Sequence, residues 1–141
     1  MFKIVFFIVT LAAYGLGRPT TAAAHAINSR QSFNARMAWY DEEGGLGVNA
    51  GACGETNHRN QKIVALNHFQ FVELGNSANP NQADVCHKKI QITNQGKETE
   101  AEITDSCDAC NYGDIDGTQA VFNDLVGGLG AGNVSVSWSF V

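Results

Sequence analysis

Residues 104–117 read TDSCDACNYGDIDG, which sets a CxxC pair, Cys107 and Cys110, among four aspartates, Asp105, Asp108, Asp114 and Asp116. Four chemistries fit such a stretch. A CxxC at the start of a helix is a dithiol redox centre. Two cysteines with a second ligand pair at metal spacing hold zinc. Two carboxyl groups about 5–5.5 Å or about 6.5–9.5 Å apart hydrolyse glycosides with retention or inversion, provided one has a raised pKa. A stapled loop can also present its acids to a ligand with no reaction at all. The flanks decide against the first two. EAEIT reads as a strand and NYGDIDG as a turn, so no helix opens at Cys107. Cys53 and Cys86 stand apart, and His87 is the only histidine beside a cysteine. No metal and no cofactor are expected.

The compartment follows from the first residues. Lys3 precedes an apolar run from Ile4 to Ala13, broken only by Thr10. That is the length of a signal-peptide core and too short to span a bilayer. Small residues suited to cleavage follow at 15–17 and 24–26, so a leader is read at 1–26 with its cut between 17 and 26. A secreted, extracellular chain without a membrane anchor is expected; its final address inside or outside a host cell is left open. An oxidising compartment pairs the four cysteines. Four cysteines allow three connectivities, of which Cys53–Cys86 with Cys107–Cys110 is the simplest.

Cleavage after Ala26 leaves 115 residues, enough for one core. That remainder carries seven Lys+Arg against fourteen Asp+Glu, a formal charge of −7. A nucleic-acid partner needs a basic face and is excluded. A neutral sugar polymer or a basic protein remains.

Hydrophobic periodicity places the elements. Residues 27–33 read as a polar lead-in and NARMAWY, 34–40, as a strand. DEEGGLGVNAGACG is a glycine-rich loop, and KIVALNHFQF a buried strand running into a helical turn. KKIQITN and ETEAEIT alternate around Gln95-Gly96, a hairpin with Glu98, Glu100 and Glu102 on its solvent face. Val121, Phe122, Leu125 and Val126 form a two-turn apolar stripe, with Thr118 as N-cap and Gly127-Gly128 as stop. NVSVSWSFV closes as a half-buried strand, and its Asn133-Val134-Ser135 is a glycosylation sequon. Short strands, one short helix and glycine-rich loops indicate a small β-barrel or sandwich.

The order AWYDEEGGLGVNAGACG, IVALN, VCHKKIQITN, ITDSCDAC, GDIDGTQAVFNDL and VSVSWSF resembles the RlpA-like double-psi β-barrel family, in particular its small secreted fungal single-domain members related to expansins, loosenins and barwin. The resemblance covers residues 34–141. It implies a mainly-β, six-stranded double-psi barrel with one or two short helices and a shallow groove for polysaccharide. It places the family's essential aspartate on Asp116 and a second on Asp105. Trp39, Tyr40 and Asp41 would line the groove, with Tyr112 nearby. Three departures stand out. DIDLS becomes DIDGT, so Gly117 replaces an apolar anchor and Thr118 a serine. His87 replaces the glycine after the second cysteine, and CDAC replaces CPGC or CxGC.

Hydrolysis would pair Asp116 with Asp41 or with Asp105, but few aromatics line a long sugar cleft. The expectation is therefore a monomeric, non-enzymatic, secreted barrel of a plant-associated fungus that binds or loosens cell-wall polysaccharide. The alternative is a virulence effector whose loops 41–52, 73–85 and 111–117 bind a host defence protein or inhibit a host cysteine protease.

Overall fold

A computed structural model describes residues 31–41 and 47–141. The stretch read as a leader, most of the stretch read as a lead-in and part of the glycine-rich loop lie outside the described residues. The strands are β1 (Ser32–Trp39), β2 (Ile63–Asn67), β3 (Lys89–Asn94), β4 (Lys97–Cys107), β5 (Ile115–Gly117) and β6 (Asn133–Phe140). Two helices, α1 (His68–Gly75) and α2 (Gln119–Val126), and a 3-10 turn at Pro80–Gln82 join them. Among the described residues these six strands close into a barrel in the order β1-β5-β2-β4-β3-β6. β1 is parallel to β5 and β2 to β4, and the other four seams are antiparallel. This is the mainly-β, six-stranded barrel with two short helices that the resemblance implies, and not the sandwich that periodicity alone left open.

Alternation fills the interior. Val136, Trp138 and Phe140 of β6 are buried while the serines between them face outward or sit half-buried. Trp138 is the hub. Its ring stacks on Phe33 at 4.4 Å and meets Phe140 edge-on at 5.4 Å, and its indole N–H donates to Gly113 O at 2.8 Å. Aromatic pairs of this kind add about 0.5–1.5 kcal/mol beyond their burial. Phe33 explains why β1 begins at Ser32, inside the stretch read as lead-in: the Phe33↔Trp138 register extends the ladder by two residues.

The β3–β4 hairpin turns through Gln95 (φ 48°) and Gly96 (φ 83°), both left-handed, as a two-residue turn between twisted strands requires. α1 is longer than the helical turn foreseen. Asn67 caps it, its side-chain oxygen accepting from Gln70 N at 3.0 Å. α2 buries Val121, Phe122 and Leu125 and ends at Gly127, φ 84°. Thr118 does precede it, but its hydroxyl donates to Gln61 O at 2.6 Å and does not cap the helix. The chain is stapled by Cys53–Cys86 and Cys107–Cys110. Among the described residues no helix is long and apolar enough to cross a membrane.

Candidate functional site

The site is built across β2. Ala65 pairs with Asp105 of β4 on one side and Asp116 of β5 on the other, and Asp116 pairs in turn with Ala38 of β1. Plain alternation along β4 would turn Asp105 inward with Ala101 and Ile103. A register shift prevents this: Val64 faces Ile103, but Ala65 faces Asp105, leaving Thr104 as the extra residue of a β-bulge. The bulge re-aims Asp105 to the outer face. The two aspartates thus share one row, with Cα atoms two strand spacings, about 9–10 Å, apart. The Cys107–Cys110 disulfide covers Ala65 between them.

Each member has a distinct setting. Asp105 Oδ1 accepts from Ala52 N and Ser106 N, both at 2.8 Å, which ties the glycine-rich loop to β4. Asp116 Oδ2 lies 3.6 Å from Cys107 Sγ. Burial raises its carboxyl pKa above the ordinary aspartate range, Arg36 opposes the rise and Asp114 adds to it. Tyr40 continues β1, its N–H donating to Gly117 O at 3.2 Å. Its hydroxyl is buried and has no hydrogen-bond partner among the described residues. Burial first, then the charges of Asp105 and Asp116, push its pKa well above the usual tyrosine value. The phenol therefore stays protonated, near both carboxylates, as an unused donor.

The remaining candidates are placed differently. Trp39 packs against the core and donates its indole N–H to Leu129 O at 3.2 Å. Asp41 is half-buried at the border of the undescribed 42–46 segment. Tyr112 is exposed and its hydroxyl donates to Glu73 at 3.2 Å, so it is not folded over the disulfide. Asp114 accepts from Arg36 N at 2.8 Å and lies 3.6 Å from the Arg36 guanidinium, a role in the turn. Asn133 is exposed at the start of β6. The residue chosen by resemblance, Gly117, is not a lost anchor. It is buried, and a Cβ there would meet Val121 Cγ1 at 3.2 Å and Met37 Sδ at 3.4 Å. Val121 and Met37 fill the space.

Sequence reasoning missed a second feature. α1 exposes Phe69 and Val72, 58% and 59% accessible, beside a cleft of about 440 Å³. Phe71, Val72, Ala78, Pro80 and Ala83 line it, with Asp105 and Ser106 at one end. Asn67-x-x-Gln70 is a capping-box pattern that marks the start of α1 in the sequence. Next to the cleft, Ser106 Oγ and Asp108 Oδ1 both approach His68 Nδ1, at 3.4 and 3.3 Å. Two groups on one ring nitrogen cannot form a proton relay, which needs the nucleophile and the acid on opposite nitrogens.

The pKa shift of Asp116 carries a prediction. A carboxyl raised in the fold contributes stability that is fully present below its unfolded value of 3.8 and lost as pH rises through the folded value. At pH 7 the charged group is therefore a cost. Asp116→Asn should melt at a higher temperature than wild type at pH 7, with the gap closing below pH 3.8. Melting curves across that range check it; a lower melting temperature for the variant at pH 7 would contradict it.

No family model matches the chain. It is 30% identical to kiwellin of Actinidia chinensis var. chinensis over 92% of this chain and 63% of that protein. It spans less than two thirds of the length of the curated plant relatives it matches. Among solved structures, a Streptomyces papain inhibitor superposes with a TM-score of 0.70 at 26% identity, covering 82% of this chain and 98% of that one. An expansin of Clavibacter michiganensis, solved with cellohexaose, superposes with a TM-score of 0.62 at 18% identity, over 79% of this chain and 50% of that one.

Proposed function

Because the chain is a double-psi β-barrel of the RlpA-like fold, we propose that it is a secreted, non-catalytic binding protein whose Asp105–Tyr40–Asp116 face takes a cell-wall polysaccharide. One observation carries this reading: the Tyr40 hydroxyl, buried and without a partner among the described residues, close to two half-buried aspartates. A buried hydroxyl without a partner costs about 1–3 kcal/mol. Once a small movement of its neighbours opens the hydroxyl, a sugar oxygen would accept from it, while the half-buried carboxyl groups accept hydrogen bonds from neighbouring sugar hydroxyls. The expansin solved with cellohexaose supports a sugar as the ligand to try first.

The test separates binding from folding. Tyr40→Phe removes an unsatisfied buried group, so it should hold or raise stability. It should weaken retention on insoluble cellulose or chitin about 2–10-fold, the worth of one net hydrogen bond. No reducing sugar should be released by either form. Equal retention of wild type and Tyr40→Phe would remove the reading; released sugar would make the pair of aspartates catalytic.

A second reading rests on the α1 cleft and the papain inhibitor. Exposed Phe69 and Val72 beside an apolar cleft suit a protein partner. In this reading the chain acts as an effector that inhibits a host cysteine protease of the papain class. Inhibition of papain, lost in Val72→Asp and retained in Tyr40→Phe, would favour it over the sugar reading.

A further inference from the structure

We propose a divalent-cation site at Glu55, His87 and Glu102, on a different part of the barrel surface from the aspartate row. The three residues come from three separate segments: Glu55 from just after the glycine-rich loop, His87 from the corner before β3, and Glu102 from β4. His87 Nδ1 lies 2.8 Å from Glu102 Oε1 and 3.7 Å from Glu55 Oε1. The three ligand atoms all fall within 4.8 Å of one another. A tetrahedral zinc with bonds of about 2.0–2.1 Å sets its ligand atoms about 3.3–3.4 Å apart, and the two measured edges bracket that value.

The surroundings favour a cation independently of these distances. Among the described residues, no lysine or arginine pairs with Glu55 or Glu102, and one imidazole faces both. Of the nearby lysines, Lys89 pairs with Glu100 and Lys62 with Asp124, while Lys88, next to His87, is exposed and pairs with neither glutamate. The three backbones are also fixed to one another. Cys53–Cys86 ties the residue two before Glu55 to the residue before His87. Cys53 N donates to Thr104 O, His87 N to Ile103 O and Ile103 N back to Lys88 O. A site whose ligands are already held loses little entropy on binding. One imidazole nitrogen and two carboxylates suit zinc or a neighbouring first-row divalent ion, with the remaining positions open to water. Binding needs His87 Nδ1 free of a proton, which a neutral imidazole provides as its Nε2–H tautomer.

The sequence pointed away from metal because it weighed His87 against the cysteines. The partners of His87 are glutamates brought in by the fold.

Calorimetric titration of tag-free protein with zinc chloride at pH 7 tests the site. One equivalent should bind, with a rise in melting temperature. His87→Asn keeps a residue that tolerates the left-handed φ of 65° at this position. It should abolish binding, and Glu55→Gln should weaken it by at least the roughly 10–100-fold that loss of a ligand's outer partner costs. His68→Asn, at a separate histidine–carboxylate contact with Asp108, should leave zinc binding unchanged. Absence of binding, or binding that survives His87→Asn and Glu55→Gln, would overturn the proposal. Should His87→Asn fail to fold, the Glu55→Gln titration decides alone.

Discussion

Replacing Cys53 and Cys86 together by alanine is expected to destabilise the barrel by about 4 kcal/mol, a fall of roughly 15–25 °C in melting temperature for a domain of this size. The bridge spans a sequence separation of 33, and closing a loop of that length removes much of the freedom of the unfolded chain. It also ties the glycine-rich loop to the corner that carries His87. The Cys107–Cys110 bridge spans a separation of only 3, so removing it should cost about 2 kcal/mol by the same argument. Its loss should instead be felt at the site, since it covers Ala65 and touches Asp116. Chemical denaturation of the two double variants checks the ranking. A larger loss from Cys107/Cys110 than from Cys53/Cys86 would show that the short staple holds the fold.

Gly117→Leu, the change that restores the familiar motif, should destabilise the protein by about 3 kcal/mol, the upper end for overpacking a filled core. A side chain at 117 points into Val121 and Met37, which already occupy the space. Combining it with Val121→Ala should recover a large part of the loss. Denaturation midpoints of the single and double variants decide it; a Gly117→Leu protein as stable as wild type would mean the core has room that the contacts deny. The missing leucine is therefore a repacking between β5 and α2, and it gives no reason to regard Asp116 as displaced.

The legible parts of the fold were those written in local periodicity. The serine alternation of β6, the turn at Gln95-Gly96, and the apolar stripe of α2 each encode their own geometry. The simplest cysteine pairing also proved to be the one formed. The outward aim of Asp105 was not legible, because it depends on a bulge at Thr104 set by pairing with β2 rather than by β4 itself. β5 was read as loop because three residues carry no period; it is a strand only through β1 and β2 on either side. Tyr40 could be named from the resemblance, but its unpartnered hydroxyl could not, since a missing partner is a property of the packed fold. His87 looked like a metal candidate only with its cysteine neighbour in view, and its carboxylates lie 32 and 15 residues away.

The order of strands in the ring has a kinetic consequence. Only one seam, β3 with β4, joins strands linked by a two-residue turn. β6 must pair with β1 across about a hundred residues, Ser32 with Ser139, and also with β3. Chains dominated by such distant pairings fold in about milliseconds to seconds, slower than helical domains of equal size. The β3–β4 hairpin is the natural place for folding to begin, and the Trp138–Phe33 stack belongs to its last step. Substitutions in the hairpin should slow folding, whereas substitutions around Trp138 should mainly speed unfolding.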